Sequence, residues 1–155
     1  MKRVLLVLAV AVVGLGVVVG CGRRESEVKK APPAAAVKTV KVSVLLPLTG
    51  PQAGIGRGCA NSVRLAFKLG EAKLAAAGLK AELDVVDDGS KPETAVAQAQ
   101  RVATDTGVVL AIAHFNSPCA LATVDTYHEA GLPAIIPAAV NAKITEKSYP
   151  EVVRT

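Results

Sequence analysis

Ser117 has the most specific chemical setting in this sequence, because Pro118 follows it at the expected start of a helix. Serine is favoured as a helix cap, and proline is favoured at the first helical position. A hydroxyl beside the unpaired amides of a first turn, at the positive end of the helix dipole, can bind an anion. The pair therefore predicts either a contact for the carboxylate of a small solute or a simple helix cap.

Two acidic residues and a histidine could offer other chemistry, but their arrangement does not support it. Asp87 and Asp88 are adjacent at the end of an expected strand, so their side chains point in opposite directions, and no cluster of His or Cys lies nearby. His114 and Ser117 lack the sequence pattern of a nucleophile elbow. We therefore predict no metal, no cofactor and no catalytic residue.

Three glycines after the first expected strand invite comparison with nucleotide-binding loops. Gly54, Gly56 and Gly58 do not fit, because the dinucleotide fingerprint would need its third glycine where Cys59 stands. The Gly-Lys-Ser/Thr ending of a phosphate-binding loop is also missing. We expect these glycines to allow a tight turn and a close approach of the backbone to a ligand.

Short apolar runs rich in β-branched residues alternate with longer amphipathic stretches from residue 40 onward. The runs predict strands over 40–46, 81–87, 108–113 and 133–137, and residues 151–154 as the start of another. The stretches predict a helix over 57–77, a second capped by Ser90 with Glu93 three residues later, and a third from Ser117 that ends before Gly131.

This alternation of strands and helices predicts an α/β fold. Right-handed crossovers make a doubly wound parallel sheet the simplest arrangement of such units, and one domain over residues 40–155 accounts for them. In open α/β sheets ligands bind at the carboxyl ends of the strands. The loops after Leu46, Asp87, Ala113 and Ile136 are therefore the candidate site.

The first twenty residues have the layout of a secretory signal peptide. Two basic residues precede an apolar run over 4–19, whose sixteen residues are fewer than the roughly 20 that a transmembrane helix needs. Cys21 follows Gly20, and the order Val-Val-Gly-Cys resembles the lipobox of bacterial lipoproteins. The resemblance implies that Cys21 becomes an acylated N-terminus and a lipid anchor, whereas an ordinary secretory signal with a chance cysteine is the alternative.

A charged stretch rich in proline and alanine follows Cys21 and lacks any apolar period, as in a flexible tether. We therefore divide the chain into a lipoprotein signal peptide (1–20), a lipidated cysteine with its tether (21–39) and a ligand-binding domain (40–155). This organisation predicts a protein of the cell envelope that faces the periplasm or the exterior.

Charge and cysteine content agree with export. Without Lys2 and Arg3 the chain has 16 basic and 13 acidic residues, a net charge of +3, which is too small to indicate nucleic-acid binding. If Cys21 is acylated, Cys59 and Cys119 remain. In an oxidising compartment they form either a disulfide or two buried free thiols.

Three segments together resemble the leucine/isoleucine/valine-binding family of ABC-transporter substrate-binding proteins, the type I periplasmic binding proteins. They are VSVLLPLTGPQAGIGRGCANSVRLA, LDVVDDGSKPETAVAQAQRV and PAIIPAAVNAKITEK. The resemblance implies two doubly wound lobes that close on an amino acid or a similar small solute and deliver it to a membrane permease. It covers residues 41–155, which match only the N-terminal lobe, so the second lobe is expected to be absent from this chain.

The resemblance assigns roles to individual residues. Ser117 matches the serine that binds the ligand carboxylate, and Ala138 matches the residue whose carbonyl receives the ligand ammonium. Phe115 and Asn116 belong to the same loop, where Phe115 either shapes the site or packs in the core.

This sequence also departs from the family pattern. Val140 replaces a threonine that contacts carboxylate and ammonium in leucine-binding members, and the neighbouring Asn141 could compensate. The family disulfide would require cysteines at Ser90 and Asn116, so a bridge between Cys59 and Cys119 is the expected substitute.

The leading interpretation is a solute-binding lipoprotein, or its N-terminal part, that serves ABC-transporter uptake. The alternatives are a ligand-sensing module of a signalling receptor and, third, an enzyme on the same fold.

Overall fold

The computed structural model describes residues 37–155, so the signal peptide, Cys21 and most of the tether lie outside the described residues. Five strands alternate with three α-helices along the chain. They are β1 (Lys38–Leu46), α1 (Ala53–Ala76), β2 (Leu79–Asp87), α2 (Pro92–Thr104), β3 (Val108–Ala113), α3 (Ser117–Glu129), β4 (Ala134–Ile136) and β5 (Val152–Arg154). A 3-10 helix, Ala142–Thr145, lies between β4 and β5.

The strands form one parallel sheet in the order β2-β1-β3-β4-β5. This order confirms the predicted doubly wound α/β fold, including the fifth strand near residue 154. Leu46 pairs with Asp87, and Ile136 pairs with Arg154. All five strands therefore end at the same edge of the sheet, called the carboxyl edge below.

Alternate residues of β1 face the two sides of the sheet. Leu45 packs with α2, α3 and the last two strands in the larger apolar cluster. Val44 and Leu46 pack on the opposite side with Ala60 of α1. In the described part of the chain, two helices cover one face and one helix covers part of the other.

Helix α1 begins at Ala53, four residues before the predicted start at Arg57. The glycines thus lie inside the first turns of the helix and not in a loop. A Cβ atom at Gly56 would lie 1.9 Å from the carbonyl oxygen of Pro47, so only glycine fits this crossing. The sequence predicted that the glycines allow a close approach of the backbone to a ligand. At Gly56 the close approach is instead between α1 and Pro47 in the loop after β1.

Two predicted helix caps are displaced by one residue. Lys91 is the residue that precedes α2, because Ser90 adopts a φ of 58° and donates its hydroxyl hydrogen to Gln52 Oε1 at 2.9 Å. The predicted capping box of Ser90 and Glu93 is therefore wrong. Asn116 precedes α3, and Ser117 is the first residue of that helix.

Both cysteines of the described domain are free thiols. Cys59 lies on α1 and packs against the cluster of Val44 and Leu46, whereas Cys119 is fully buried on α3. Because α1 and α3 cover opposite faces of the sheet, the two residues are not positioned for the short Cα separation that a disulfide needs. The expected bridge is not present in this structure.

Candidate functional site

The site is built from the loops at the carboxyl edge. Two of its predicted members, Ser117 and Asn141, come together in space, because the backbone N–H of Asn141 donates to Ser117 Oγ at 3.3 Å. Asn141 Oδ1 in turn accepts the N–H of Lys143 at 3.0 Å. Because Ser117 Oγ accepts the Asn141 N–H, the hydroxyl hydrogen of Ser117 is still available to donate to a ligand. The loop after β4 and the start of α3 therefore form one local surface.

Asn116, the residue before Ser117, has one side-chain donor without a partner in the described domain. Its side chain makes no capping hydrogen bond to α3. Its Nδ2 atom is buried and has no partner among residues 37–155. Most buried polar groups in native proteins are paired, so this amide is an exception at the residue that precedes α3.

Ala138 and Val140 lie in the loop after β4, as predicted, but with different surroundings. Ala138 is half-buried, whereas Val140 is 81% exposed. The carbonyl oxygen of Val140 accepts a hydrogen bond from Arg154 Nη1 at 3.2 Å. The Val140 side chain thus faces solvent in this lobe, and its backbone is held by a residue that the sequence reasoning missed.

Arg154 is that missed residue. It is the last residue of β5 and pairs with Ile136, so it stands at the carboxyl edge beside the β4 loop. Its position could have been found from the sequence, since residues 151–154 were expected to begin a strand that ends at the same edge.

Phe115 has a packing role. Its side chain is half-buried and packs against the cluster of Val44, Leu46 and Ala60, on the face of the sheet that α1 covers. Its packing on the α1 side of the sheet therefore holds the loop between β3 and α3 in place.

A buried polar chain lies at the same edge. Asp88 Oδ2 is 2.9 Å from His114 Nδ1, and His114 Nε2 is 3.1 Å from the Tyr127 hydroxyl. All three side chains are 0% exposed, and Asp88 Oδ1 also accepts the N–H of Ser90. Burial raises the pKa of Tyr127, with a contribution from the Asp88 charge. Because both ring nitrogens of His114 have partners, His114 is not arranged as a base for Ser117.

Asp87 organises the first loop. Its carboxylate accepts the N–H groups of Leu48, Thr49 and Gly89 and the hydroxyl of Thr49, at 2.6 to 3.2 Å. Burial alone would raise the pKa of Asp87, but these hydrogen bonds outweigh it and hold the pKa below its ordinary value. Asp87 and Asp88 thus bind different groups, as expected for adjacent side chains that point in opposite directions at the end of a strand.

Burial, followed by the charges of Asp88 and Glu93, raises the pKa of the Cys119 thiol to about 11. This thiol is protonated at neutral pH and is a poor nucleophile. In the described domain, no group of three His, Cys, Asp or Glu residues is arranged to hold a metal ion. Across residues 37–155, no helix combines the length and the apolar character needed to span a membrane.

The sequence pattern of the periplasmic binding protein family matches residues 39–155. The chain belongs to this family. Among curated periplasmic binding proteins, a Leu/Ile/Val-binding protein homologue of Brucella abortus is 34% identical over 116 residues, which are 75% of this chain and 31% of the relative. The chain thus spans about a third of the length of that relative.

Solved structures of similar proteins give the same picture. A solute-binding protein of an ABC transporter from Rhodopseudomonas palustris, in complex with 3,4-dihydroxybenzoic acid, is 32% identical with a TM-score of 0.68. A leucine-binding protein from Thermotoga maritima is 29% identical with a TM-score of 0.67. The alignments cover 75% and 74% of this chain but 31% and 32% of those chains. The matched region corresponds to one lobe of a type I periplasmic binding protein.

Proposed function

We propose that this chain is the N-terminal part of an extracytoplasmic solute-binding protein that holds a small carboxylate for uptake by an ABC permease. The observation that carries the proposal is the Ser117 hydroxyl, which lies at the first residue of α3 on the carboxyl edge and accepts the Asn141 N–H, in a chain from this family. Relatives of the chain are described as binding leucine-type amino acids or an aromatic acid.

In this proposal the ligand carboxylate lies at the start of α3. It accepts the hydroxyl of Ser117 and the unpaired amides of the first turn, and the helix dipole adds a favourable charge. The buried amide of Asn116 supplies a further donor, and the backbone carbonyl of Ala138 faces the other end of the ligand. The chain acts by binding and release and performs no chemical step on the solute.

A second lobe or another chain would complete this site, because a single lobe leaves the ligand exposed to water. Hydrogen bonds are stronger where water is excluded, so closure would raise the affinity. We expect weak binding by the described lobe alone.

The N-terminal residues support an anchored location for this function. We propose that Cys21 carries two or three acyl chains, because the order Val-Val-Gly-Cys resembles a lipobox. One chain alone gives only marginal binding to a bilayer, whereas two or more give stable anchoring. Replacing Cys21 with serine should remove the lipid mass and release the protein from membranes, as measured by intact mass spectrometry and membrane fractionation. A mass change equal only to the exchange of sulfur for oxygen, with unchanged fractionation, would refute the lipoprotein assignment.

Ser117→Ala tests the binding site. If Ser117 donates to a ligand carboxylate, its loss should cost about 1 to 3 kcal/mol, or roughly 5- to 150-fold in the dissociation constant. Isothermal titration of the full-length chain with leucine and with 3,4-dihydroxybenzoate measures this change. Ser62→Ala is the matched control, because the Ser62 hydroxyl is exposed on α1 and its one hydrogen bond within residues 37–155 is to the Gly58 carbonyl. Equal affinities for both variants would remove Ser117 from the site.

A further inference from the structure

A cluster of polar and aromatic side chains joins the end of α3 to residues 147–151, the segment that precedes β5. Asp125 and His128 come from α3, and Lys147, Tyr149 and Glu151 come from the segment. These five residues are called the α3 clasp below. Because α3 ends and β5 begins at the edge of the sheet opposite the carboxyl edge, the clasp lies away from the proposed ligand site.

Hydrogen bonds, ion pairs and ring stacking hold the α3 clasp together. His128 Nδ1 is 3.0 Å from Glu151 Oε2, and the Tyr149 hydroxyl donates to Asp125 Oδ1 at 3.0 Å. Lys147 Nζ donates to the two carboxylate oxygens of Asp125 at 2.7 and 2.8 Å. The rings of His128 and Tyr149 are nearly parallel, with 6° between their planes and 3.8 Å between their centroids. Two side chains of α3 therefore hold the whole segment.

The surroundings of His128 favour its protonated form. His128 lies in the last turn of α3, where the helix dipole favours a positive charge. The hydrogen bond with His128 lowers the pKa of Glu151, and hydrogen bonds from Lys147 and Tyr149 lower the pKa of Asp125, so both carboxylates stay charged in mild acid. The His128 side chain is 41% exposed, so the ring can exchange its proton with water.

Other charges around His128 leave the pair with Glu151 dominant. Lys147 is the nearby cation, and its ammonium is bound by Asp125. The remaining charged residues of the helices and the strand packed around His128 make no hydrogen bond or ion pair with it within residues 37–155. They are Glu93 and Arg101 of α2, Glu129 of α3, Lys143 of the 3-10 helix and Arg154 of β5.

We propose that the α3 clasp is a pH-sensitive switch, in which protonated His128 holds residues 147–151 against α3 and neutral His128 loosens them. Histidine is the side chain that ordinarily gains or loses its proton between about pH 5 and 8. The attraction between the charged ring and Glu151 is therefore present at the acidic end of that range and is lost as the pH rises. The segment leads into β5, so its release loosens the start of an edge strand.

Two backbone amides report directly on this segment. The N–H of Ala134 donates to the Glu151 carbonyl at 2.8 Å, and the N–H of Val152 donates to the Tyr149 carbonyl at 3.1 Å. Hydrogen exchange of the full-length chain in detergent, followed by NMR and corrected for the intrinsic effect of pH, gives their protection factors. We expect both factors to fall about threefold or more between about pH 5.5 and pH 8.

The amide of Val44, in the central strand β1, is the reference for the rest of the fold. Its protection should stay constant over the same range. An equal fall at Val44 would mean that the whole domain responds to pH and not the clasp. Constant protection at Ala134 and Val152 would also overturn the proposal.

Three variants assign the response to the clasp. His128→Gln keeps a hydrogen-bond donor without a titrating charge, so the protection of Ala134 and Val152 should no longer change with pH. Glu151→Gln should reduce the change by at least half, because the charged ring loses its partner. Lys80→Gln is the matched control, since it removes a surface ion pair with Glu82 on β2 and should leave the full change.

A response that persists in both clasp variants would assign it to another group and overturn the role of His128. A response that Lys80→Gln removes as completely as His128→Gln would assign it to general surface charge, which also overturns the proposal. Circular dichroism and thermal unfolding confirm that each variant is folded.

Discussion

The carboxyl edge of the sheet has two halves that treat their polar groups differently. Around β1 and β2, the carboxylates of Asp87 and Asp88 accept hydrogen bonds from Leu48, Thr49, Gly89, Ser90 and His114. Around β3, β4 and β5, Asn116 and Arg154 have buried donors without partners in the described chain. The half around β1 and β2 is called the closed half below, because its buried polar groups are paired within the described chain. The half around β3, β4 and β5 is called the open half, because two of its buried donors are not.

This difference separates polar groups that stabilise the fold by hydrogen bonding to one another from polar groups that remain available to bind a ligand. Most buried donors in native proteins are paired, so each exception calls for an explanation, such as a bound group or a water molecule. The closed half fixes the loops after β1 and β2 against the sheet. The open half holds Ser117 at the first residue of α3, next to Asn141 in the loop after β4, which is why the ligand is proposed there.

The largest effect is expected in the closed half, on replacing His114 with leucine. The change leaves the buried Oδ2 atom of Asp88 without its partner, and breaking one member of a buried pair costs about 3 to 5 kcal/mol. Denaturant unfolding measures this loss. Tyr127→Phe is a milder control, because it removes only the hydroxyl and should cost about 0.5 to 1.5 kcal/mol. If the leucine variant kept full stability, the buried chain would not support the fold.

Asp87→Ala should have an intermediate effect, since it removes the acceptor for the first loop. We expect a loss of about 1 to 3 kcal/mol at neutral pH. The folded-state pKa of Asp87 is lowered, so its contribution is present above the ordinary pKa of about 3.9 and disappears as the pH falls through the folded value.

The variant and the unaltered protein should therefore converge in stability at acidic pH. Unfolding curves measured from pH 7 down to pH 2 check this convergence. A constant difference over that range would mean that the Asp87 charge does not provide the stabilisation.

Asn116→Ala should have the smallest effect on stability. Its amide has no hydrogen bond to lose among residues 37–155, so the free energy of unfolding should change by less than about 0.5 kcal/mol. Thermal unfolding measures this quantity beside that of Asp87→Ala. A loss as large as that of the Asp87 variant would show that the two halves of the edge are equally committed to folding, and would remove the contrast between them.

Much of the fold could be predicted because its signals are local and repeated. Apolar β-branched runs marked the strands, and the parallel arrangement then placed their ends on one edge, which brought Ser117 and Asn141 together. The errors arose where tertiary contacts decide local structure. Ser90 leaves its expected cap because Gln52 accepts its hydroxyl, and α1 starts early because Gly56 can rest against Pro47.

The separation of Cys59 and Cys119 could not be read from their spacing, because it depends on which face of the sheet each helix covers. The expected strand over 151–154 already placed Arg154 at the carboxyl edge, but its contact could not be predicted. Its contact with Val140 joins two segments of the fold and leaves no local pattern in the sequence.

The central claim is that the open half of the carboxyl edge binds a carboxylate and the closed half does not. A titration of the isotope-labelled chain with 4-methylpentanoate, followed by NMR of backbone and side-chain amides, tests it directly. The account predicts shifts at Asn116, Ser117, Asn141 and Arg154, with the amides of Thr49 and Gly89 unchanged. Shifts concentrated at Thr49 and Gly89, or no saturable shift at the open half, would contradict it.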